Sequence, residues 1–332
     1  MLSNQKCLEN GEFALGLSKR LMEHSSLLQD ELSTKGYCII DNCLPIHLLR
    51  QLSEEISMLE DVLKSSPNSV SISDDEQLII IKPNVLELTL VERSNLLIHN
   101  ERLVSMIPAL YSIWQDRLST ARAFRSCCPC LSSLQELDQL KIAMIKRGGC
   151  FPCHTDTQSD TNRLLSVTLY LEECIQGSDD VNPHGGELRI YPYPLSDPVD
   201  IRPVFGRMVL FSAGHTFHRV MKSNRSNRTC ISMMFYGSDS DSSRETGVPP
   251  AVFPFKPEGY PAHVFHRRRL LMPLLYMDEF RRSILESFYD GNGGVEAVEG
   301  RAAEYFVHKC RLMRLAGTPN SQLMIQYRLL HP

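Results

Sequence analysis

The residues with the clearest chemical potential are a histidine and an aspartate two positions apart, His154 and Asp156, in a short run that starts at Phe151. In an extended strand, residues i and i+2 point to the same face, so an imidazole nitrogen and a carboxylate oxygen can reach one ion together. Two histidines and one carboxylate on one face of an ion are the ligand set of non-haem Fe(II) sites. The pair therefore predicts a metal site, provided that a second histidine follows.

The segment from Met208 to Val220 offers two candidates for this second histidine, His215 and His218. We choose His218, because Arg228 follows it ten positions later and opens an apolar strand; His215 stays the alternative. A guanidinium beside a metal site can bind a carboxylate through two parallel hydrogen bonds. The pattern therefore favours a metal that acts together with a dicarboxylate co-substrate.

The first part of the chain has helical periodicity. Apolar residues recur at helical spacing in three stretches, Leu17–Leu32, Leu44–Leu63 and Asn100–Leu118. The last of these contains Trp114, which we expect in the core. Short β-prone runs at Tyr37–Ile40 and Leu78–Ile81 predict strands. The polar residues Lys64–Glu76 are typical of an exposed loop.

From residue 139 onward the pattern changes to short strands separated by turn residues. Six are predicted: Gln139–Lys146, Leu164–Leu171, Gly186–Tyr191, Arg207–Phe211, His218–Met221 and Arg228–Tyr236. Such a series indicates a β-sandwich or jelly roll, and no glycine-rich phosphate motif is present to indicate a nucleotide-binding α/β fold. We therefore expect a mainly β core with flanking helices.

The composition changes again after residue 240. Serine- and aspartate-rich and then proline-rich stretches lead to helical periodicity at Val264–Tyr289 and Arg301–Leu315. We predict three parts: an N-terminal helical segment (1–33), a domain (34–240) with its jelly-roll core at about 139–237, and a C-terminal extension (241–332) made of a proline-rich linker and helices.

The overall composition is that of an ordinary globular protein. The formal net charge of −4 gives no general attraction to nucleic acid or anionic membranes. The N-terminus has no apolar core, and no run reaches the roughly 18 apolar residues of a membrane span. Eleven cysteines, an odd number, fit reduced thiols. We therefore expect a cytoplasmic protein without a nucleic-acid or membrane partner; a nuclear location stays open.

Two cysteine motifs offer other metal chemistry. Cys127–Cys130 is the densest group, but it lacks the second pair that a zinc ribbon requires. Cys150, Cys153 and His154 spell the attachment motif of a c-type haem. The missing export signal and the surrounding strands argue against haem, because c-type cytochromes are mostly helical. We therefore rank both motifs below the non-haem iron site.

Taken together, these motifs resemble the Fe(II)- and 2-oxoglutarate-dependent dioxygenases, and within them the prolyl 4-hydroxylase branch. The resemblance covers about Thr34 to Gly237. It rests on five motifs in the same order: the opening Lys35–Leu44, the metal pair His154 and Asp156, the strand Val167–Leu171 with Tyr170, the Gly-Gly-x-Leu-Arg strand His184–Tyr191, and His218 with Arg228. The ordered set is far more specific than any one motif.

The resemblance implies a double-stranded β-helix that holds Fe(II) with His154, Asp156 and His218. It also implies that 2-oxoglutarate chelates the metal and pairs with Arg228 and Tyr170 at its distal carboxylate. The activity implied is hydroxylation of a C–H bond, with release of succinate and CO2, and ascorbate is implied as a further cofactor.

The substrate implied by the resemblance is a prolyl residue of a protein or peptide. The chain departs from many prolyl hydroxylases by lacking a tyrosine before the metal pair, where Met144 and Lys146 flank the expected position. A small-molecule substrate therefore stays an alternative. A non-catalytic binding protein with the same fold is a second alternative, but the complete set of site residues argues against it.

Overall fold

The strand-forming stretches pair into two antiparallel sheets. The computed structural model describes residues 11–71, 77–91, 101–156, 163–172, 185–192, 197–214, 216–237 and 276–287. Its strands are β1 (Tyr37–Ile40), β2 (Lys64–Ser71), β3 (Gln77–Val91), β4 (Leu134–Lys146), β5 (Phe151–His154), β6 (Arg163–Tyr170), β7 (Leu188–Tyr191), β8 (Val199–Ile201), β9 (Met208–Ser212), β10 (Phe217–Val220) and β11 (Asn227–Gly237). Its helices are α1 (Glu12–Glu23), α2 (Ser25–Thr34), α3 (Ile46–Met58), α4 (Glu101–Met106), α5 (Pro108–Gln115), α6 (Arg117–Cys127) and α7 (Met277–Glu286), with a short 3-10 helix at Pro129–Leu131.

A large sheet and a small sheet form the β core. The large sheet has seven strands in the order β1-β9-β6-β11-β4-β3-β2, and the small sheet has four in the order β5-β10-β7-β8. All of the pairings are antiparallel. After β4, strands that follow one another in sequence alternate between the sheets, as in a jelly roll, except that β7 and β8 both lie in the small sheet. The predicted fold class is confirmed.

Side-chain alternation gives the large sheet two buried faces. Ile142 and Leu140 of β4 lie in the outer core, together with apolar residues of the helices α1 to α6. Ala143 and Ile145 of the same strand lie in a second, smaller cluster with residues of β7 and β9. Because successive side chains of a strand point to opposite faces, the inner row of every large-sheet strand looks toward the small sheet. This inner space contains the predicted site.

Two predictions about the helical part are corrected. The predicted helix Leu17–Leu32 is divided at His24 into α1 and α2. The predicted helix Asn100–Leu118 is three helices, α4 to α6, and the last of them extends to Cys127. Pro108 explains the first break, because proline has no N–H and prefers the first turn of a new helix. Trp114 is buried, as expected.

The predicted loop Lys64–Glu76 is also corrected. Residues Lys64–Ser71 form β2, which pairs with β3 at the edge of the large sheet. Its polar composition and Pro67 hid the strand from sequence reasoning, but both features are tolerated at a sheet edge. Residues 72–76 of the predicted loop lie outside the described part of the chain.

The C-terminal predictions are covered only in part. Helix α7 falls within the predicted helix Val264–Tyr289, whereas the predicted helix Arg301–Leu315 lies outside the described residues. The three-part division of the chain stays a prediction. Within the described residues, no helix has both the length and the apolar composition needed to cross a membrane.

A buried carboxylate connects two helices of the outer layer. Glu55 on α3 is only 1% exposed. It accepts hydrogen bonds from the backbone N–H groups of Ala109 at 2.8 Å and Leu110 at 2.9 Å, in the first turn of α5. These N–H groups have no acceptor within their own helix, and the positive end of the helix dipole favours an anion there. Glu55 therefore caps α5 from a distant part of the chain.

We predict that Glu55→Ala lowers the free energy of unfolding by about 3 kcal/mol, because two buried N–H donors lose a charged acceptor. Glu55→Gln keeps one acceptor oxygen and should cost about 1 kcal/mol. The measurement is urea denaturation with an unchanged m-value. Its control is Glu54→Ala at the exposed neighbouring position, and equal losses at both positions would contradict the capping role.

Candidate metal and dicarboxylate site

The pairing of β5 with β10 sets the two predicted histidines opposite each other. His154 and His218 are partners in the antiparallel register, and their ring centroids are 4.4 Å apart. Asp156 follows β5, and its backbone N–H donates to the carbonyl of Ala213 at 3.0 Å, just after β9. The histidines therefore belong to the small sheet, and the aspartate is fixed to the end of a large-sheet strand.

One carboxylate oxygen faces both imidazoles. Asp156 Oδ1 lies 3.3 Å from Nε2 of His154 and 3.7 Å from Nε2 of His218. The candidate ligand atoms of the three residues all lie within 4.8 Å of one another. They form the only group of three or more such residues among those that the structure describes. His215, the alternative second histidine, lies outside the described residues.

The hydrogen bonds of the two rings fix their tautomers. Nδ1 of His154 lies 2.7 Å from the carbonyl oxygen of Pro152, and Nδ1 of His218 lies 3.0 Å from that of Thr216. A carbonyl oxygen can only accept, so in each ring Nδ1 carries a proton. In the neutral imidazoles, both Nε2 atoms therefore present lone pairs toward the carboxylate of Asp156.

The environment of the site keeps His218 and Asp156 in the protonation states that bind metal. Burial, together with the neighbouring His154, lowers the pKa of His218 to about 4. Burial alone would raise the pKa of Asp156, but the two histidines hold it below its ordinary value. A neutral His218 and an ionised Asp156 are the forms that bind metal. Two imidazole nitrogens and a carboxylate oxygen that face one another in this way are a donor set that fits a divalent cation.

A buried arginine lies further inside the same cleft. Arg228 on β11 is 2% exposed. Its guanidinium donates to the Gly186 carbonyl at 2.6 Å, to Cys230 Sγ at 3.4 Å and to the hydroxyl of Tyr170 at 3.4 Å. No carboxylate of the described residues neutralises it. A buried charge without a counter-charge is costly, so the position fits an anionic ligand.

Tyr170 lies beside Arg228, although it is not among the residues that line the cleft. Its ring centroid lies 5.0 Å from the guanidinium carbon of Arg228. Burial raises the pKa of Tyr170 to about 12, so the hydroxyl keeps its proton at neutral pH. A neutral phenol can donate a hydrogen bond to the carboxylate that the arginine attracts.

Gly186 holds the side chain of Arg228 in place. The sequence did not predict this role of the glycine. Its φ of +76° lies in the left-handed region, and its carbonyl accepts the Nε–H of Arg228. A Cβ at this position would lie 2.9 Å from Cδ of Arg228. Two consecutive glycines before a strand were the available signal, but they are equally typical of an ordinary turn.

The metal group and the arginine line one cleft that opens to solvent. Its other lining residues are Glu87, Lys141, Ala143, Phe151, Thr168, Leu188, Phe211, Val220, Cys230, Ser232 and Met234. Among them, Glu87 and Lys141 form an ion pair at 2.8 Å. Sequence reasoning missed this pair, although charged residues at inward positions of β3 and β4 were the available signal. Ala143 lines the cleft, whereas Met144 points into the outer core.

The cysteine alternatives gain no support from the geometry. Cys150 and Cys153 are 1% and 3% exposed, and Cys153 Sγ donates to the Tyr191 hydroxyl at 3.6 Å. Thiols enclosed in this way leave no room for an attached haem. Sγ of Cys128 contacts Sγ of Cys130 at 3.0 Å, but no third zinc-type ligand joins them within the described residues.

Comparison with known proteins finds a family model that matches the part of the chain containing the site. Residues 140–236 match the model of the 2OG-Fe(II) oxygenase superfamily. This segment contains all five residues that form the metal group and the arginine–tyrosine pair. No curated protein sequence matches the chain.

Solved structures show the same fold. A prolyl 4-hydroxylase of Phytophthora capsici aligns over 95% of this chain and 96% of its own, with a TM-score of 0.60 and 21% identity. A prolyl hydroxylase of Trichoplax adhaerens, solved with a peptide fragment of the hypoxia inducible factor oxygen degradation domain, covers 69% of this chain and 94% of its own, with a TM-score of 0.51 and 18% identity. At these identities the likeness shows the fold, the double-stranded β-helix that the sequence predicts.

The family's iron and 2-oxoglutarate agree with the two binding chemistries of the cleft, which are a cluster of lone pairs without a proton and a buried guanidinium without a counter-charge. Residues 140–236 of this chain are thus similar to the 2OG-Fe(II) oxygenase superfamily.

Proposed function

We propose that this chain is an Fe(II)- and 2-oxoglutarate-dependent dioxygenase that hydroxylates a C–H bond of a prolyl residue in a protein. The observation that carries the proposal is a single cleft that contains both a set of metal-type ligands and a buried arginine without a counter-charge among the described residues. One end presents the lone pairs of His154, His218 and Asp156 to a cation, and the other presents Arg228 to an anion. A metal-chelating dicarboxylate satisfies both ends at once.

Each residue has a defined task in this proposal. His154, Asp156 and His218 would hold Fe(II), while Arg228 and Tyr170 would hold the distal carboxylate of 2-oxoglutarate. The bound iron supplies the redox chemistry by which the substrate C–H, O2 and 2-oxoglutarate become the alcohol, succinate and CO2. The buried inner walls exclude water from this reaction, and the sheets fix the orientation of the reactants.

The apolar part of the cleft lining is where the substrate would bind. Phe151, Leu188, Val220 and Met234 give it apolar walls that suit a pyrrolidine ring. The likeness in fold to two prolyl hydroxylases supports the same assignment, and the open side of the cleft admits a polypeptide. Ascorbate as a further cofactor stays a prediction.

The first prediction from this proposal concerns the metal ligands. His154→Ala should weaken binding of Mn²⁺, a redox-stable substitute for Fe(II), by on the order of 100-fold, because one of three protein ligands is lost. The same variant should lose the Fe(II)-dependent conversion of 2-oxoglutarate to succinate. Calorimetric titration without oxygen measures the first effect, and succinate assay the second.

His47→Ala is the matched control, since His47 is exposed and lies on α3, outside the cleft. It should bind Mn²⁺ as the unaltered protein does. Turnover of 2-oxoglutarate that survives in His154→Ala would overturn the assignment of the ligands. A chain that binds Mn²⁺ and 2-oxoglutarate but never forms succinate, with any substrate, would instead be a binding protein.

A second prediction concerns the support of the arginine. Gly186→Ala should raise the dissociation constant of 2-oxoglutarate by at least about tenfold, because the new Cβ displaces Arg228 and a partly lost charged pair costs more than 1.4 kcal/mol. Mn²⁺ binding in the absence of 2-oxoglutarate should change little. Titration of the Mn²⁺-loaded protein with 2-oxoglutarate under nitrogen measures the effect.

Gly36→Ala separates displacement of the arginine from backbone strain. Gly36 has a φ of +79°, close to that of Gly186, but a Cβ there meets nothing within 4 Å. Its alanine variant should bind 2-oxoglutarate normally. Similar losses in the two variants would show that strain, and not the position of Arg228, is responsible.

The substrate itself requires capture and mass analysis. Proteins retained by an inactive Asp156→Ala variant are incubated with the active enzyme, Fe(II) and 2-oxoglutarate, and their peptides are searched for a gain of one oxygen. We expect the gain on proline. A gain on another side chain would correct the residue class, and modification of small molecules alone would favour the small-molecule alternative.

A further inference from the structure

Helix α7 covers the face of the small sheet opposite the metal group. It comes from the C-terminal part of the chain, outside the segment 140–236 that matches the superfamily. Phe280 of α7 packs against Phe217 of β10, with ring centroids 6.2 Å apart. Tyr276, immediately before the helix, packs against Tyr191 of β7 at 4.8 Å. The helix therefore contacts the strands that carry the site's histidines from behind.

The polar contacts of α7 reach the immediate neighbours of both histidines. Ser283 Oγ accepts the backbone N–H of Cys153, the residue before His154, at 2.9 Å. Arg219, the residue after His218, donates to Glu279 at 3.0 Å. Because successive strand residues point to opposite faces, an anchor on one face fixes the side chain on the other.

The arginine anchor is deeply buried and doubly paired. Arg219 is 0% exposed and donates to Glu286 at 2.5 Å as well as to Glu279. Loss of Glu279 would leave Glu286, at the far end of α7, as the one carboxylate of the described residues that pairs with this buried charge. Glu279 also accepts the Tyr191 hydroxyl at 2.8 Å and lies 3.4 Å from the Arg189 guanidinium. It is therefore the residue through which α7 holds both β10 and β7.

The sheet itself fixes the two histidines only weakly relative to each other. Strands β5 and β10 are each four residues long. Their register contains two pairs, His218 with His154 and Val220 with Phe151, and it is irregular between them. Such a short and interrupted ladder needs support from a packed neighbour to be rigid.

We infer that α7 is a positioning element of the metal site, which keeps His154 and His218 at ligand distance, and that Glu279 is its principal positioning residue. The inference rests on the metal site proposed above. It gives the C-terminal extension a role at the reaction centre, although α7 contributes no ligand.

The test compares Glu279→Ala and Ser283→Ala with Asp41→Ala in the full-length chain. Asp41 is the matched control, because it also accepts two hydrogen bonds from an arginine, Arg207, but at the far end of the large sheet. We expect Mn²⁺ affinity to fall about tenfold in Glu279→Ala, less in Ser283→Ala, and not in Asp41→Ala.

A second readout separates positioning from general stability. Hydrogen exchange of the metal-free protein should become faster in the peptides that span β5 and β10 in Glu279→Ala, with β4 and β11 unchanged. Both measurements are made well below the melting temperature of each variant. If Glu279→Ala does not fold, Glu279→Gln, which keeps an acceptor for Tyr191, takes its place in the same comparison.

The outcomes distinguish this inference from the proposed function. If the unaltered protein and His154→Ala bind Mn²⁺ equally, the metal site itself is wrong. If the unaltered protein binds Mn²⁺ more tightly than His154→Ala, while the variants of Glu279 and Ser283 match Asp41→Ala, then α7 only covers the sheet and the positioning role is refuted.

Discussion

The antiparallel pairing of β5 with β10 is the interaction on which the site depends. It sets His154 directly opposite His218, and both rings then turn Nε2 inward because Nδ1 donates to a carbonyl two residues earlier. Asp156 joins them from a loop tied to the large sheet. A displacement of either strand would separate the two imidazoles. Rotation of the side chains could not then bring the three ligand atoms back within reach of one ion. The jelly roll serves this site by bringing two sheets into contact along their inner faces.

Charge complementarity explains why one cleft accommodates both a metal and a dicarboxylate. The three ligand residues together carry one negative charge in their binding forms, because His218 stays neutral and Asp156 ionised. Arg228 carries a positive charge deeper in the cleft, beside a phenol that keeps its proton. A cation alone would leave the guanidinium unneutralised, and an anion alone would meet a carboxylate. The two ligands neutralise the cleft jointly, so the binding of each should favour the binding of the other.

The sequence was sufficient to predict most of the fold and four of the residues that line the cleft. His154 and Asp156 could be found because a strand repeats every two residues, and Tyr170, His218 and Arg228 because they follow in the order of a known family. The ion pair of Glu87 and Lys141 could not be found in this way, since its members are 54 positions apart and meet only through the register of β3 with β4. The edge strand β2 was missed because polar residues and proline at a sheet edge have the composition of a loop.

Gly186 and α7 show a different limit of sequence reasoning. The left-handed conformation of Gly186 matters only because Arg228, 42 residues later, passes against it. The amphipathic pattern of α7 predicts a helix. Only the folded chain shows that α7 neutralises the buried charge of Arg219. Strands of four residues give a sheet few hydrogen bonds, and a helix packed behind them supplies the rigidity that greater length would otherwise provide. The ion pairs of α7 with the small sheet thus compensate for the shortness of β5 and β10. β5 and β10 are short and end at an open cleft. They can hold a metal only if a packed element such as α7 fixes the opposite face of the small sheet.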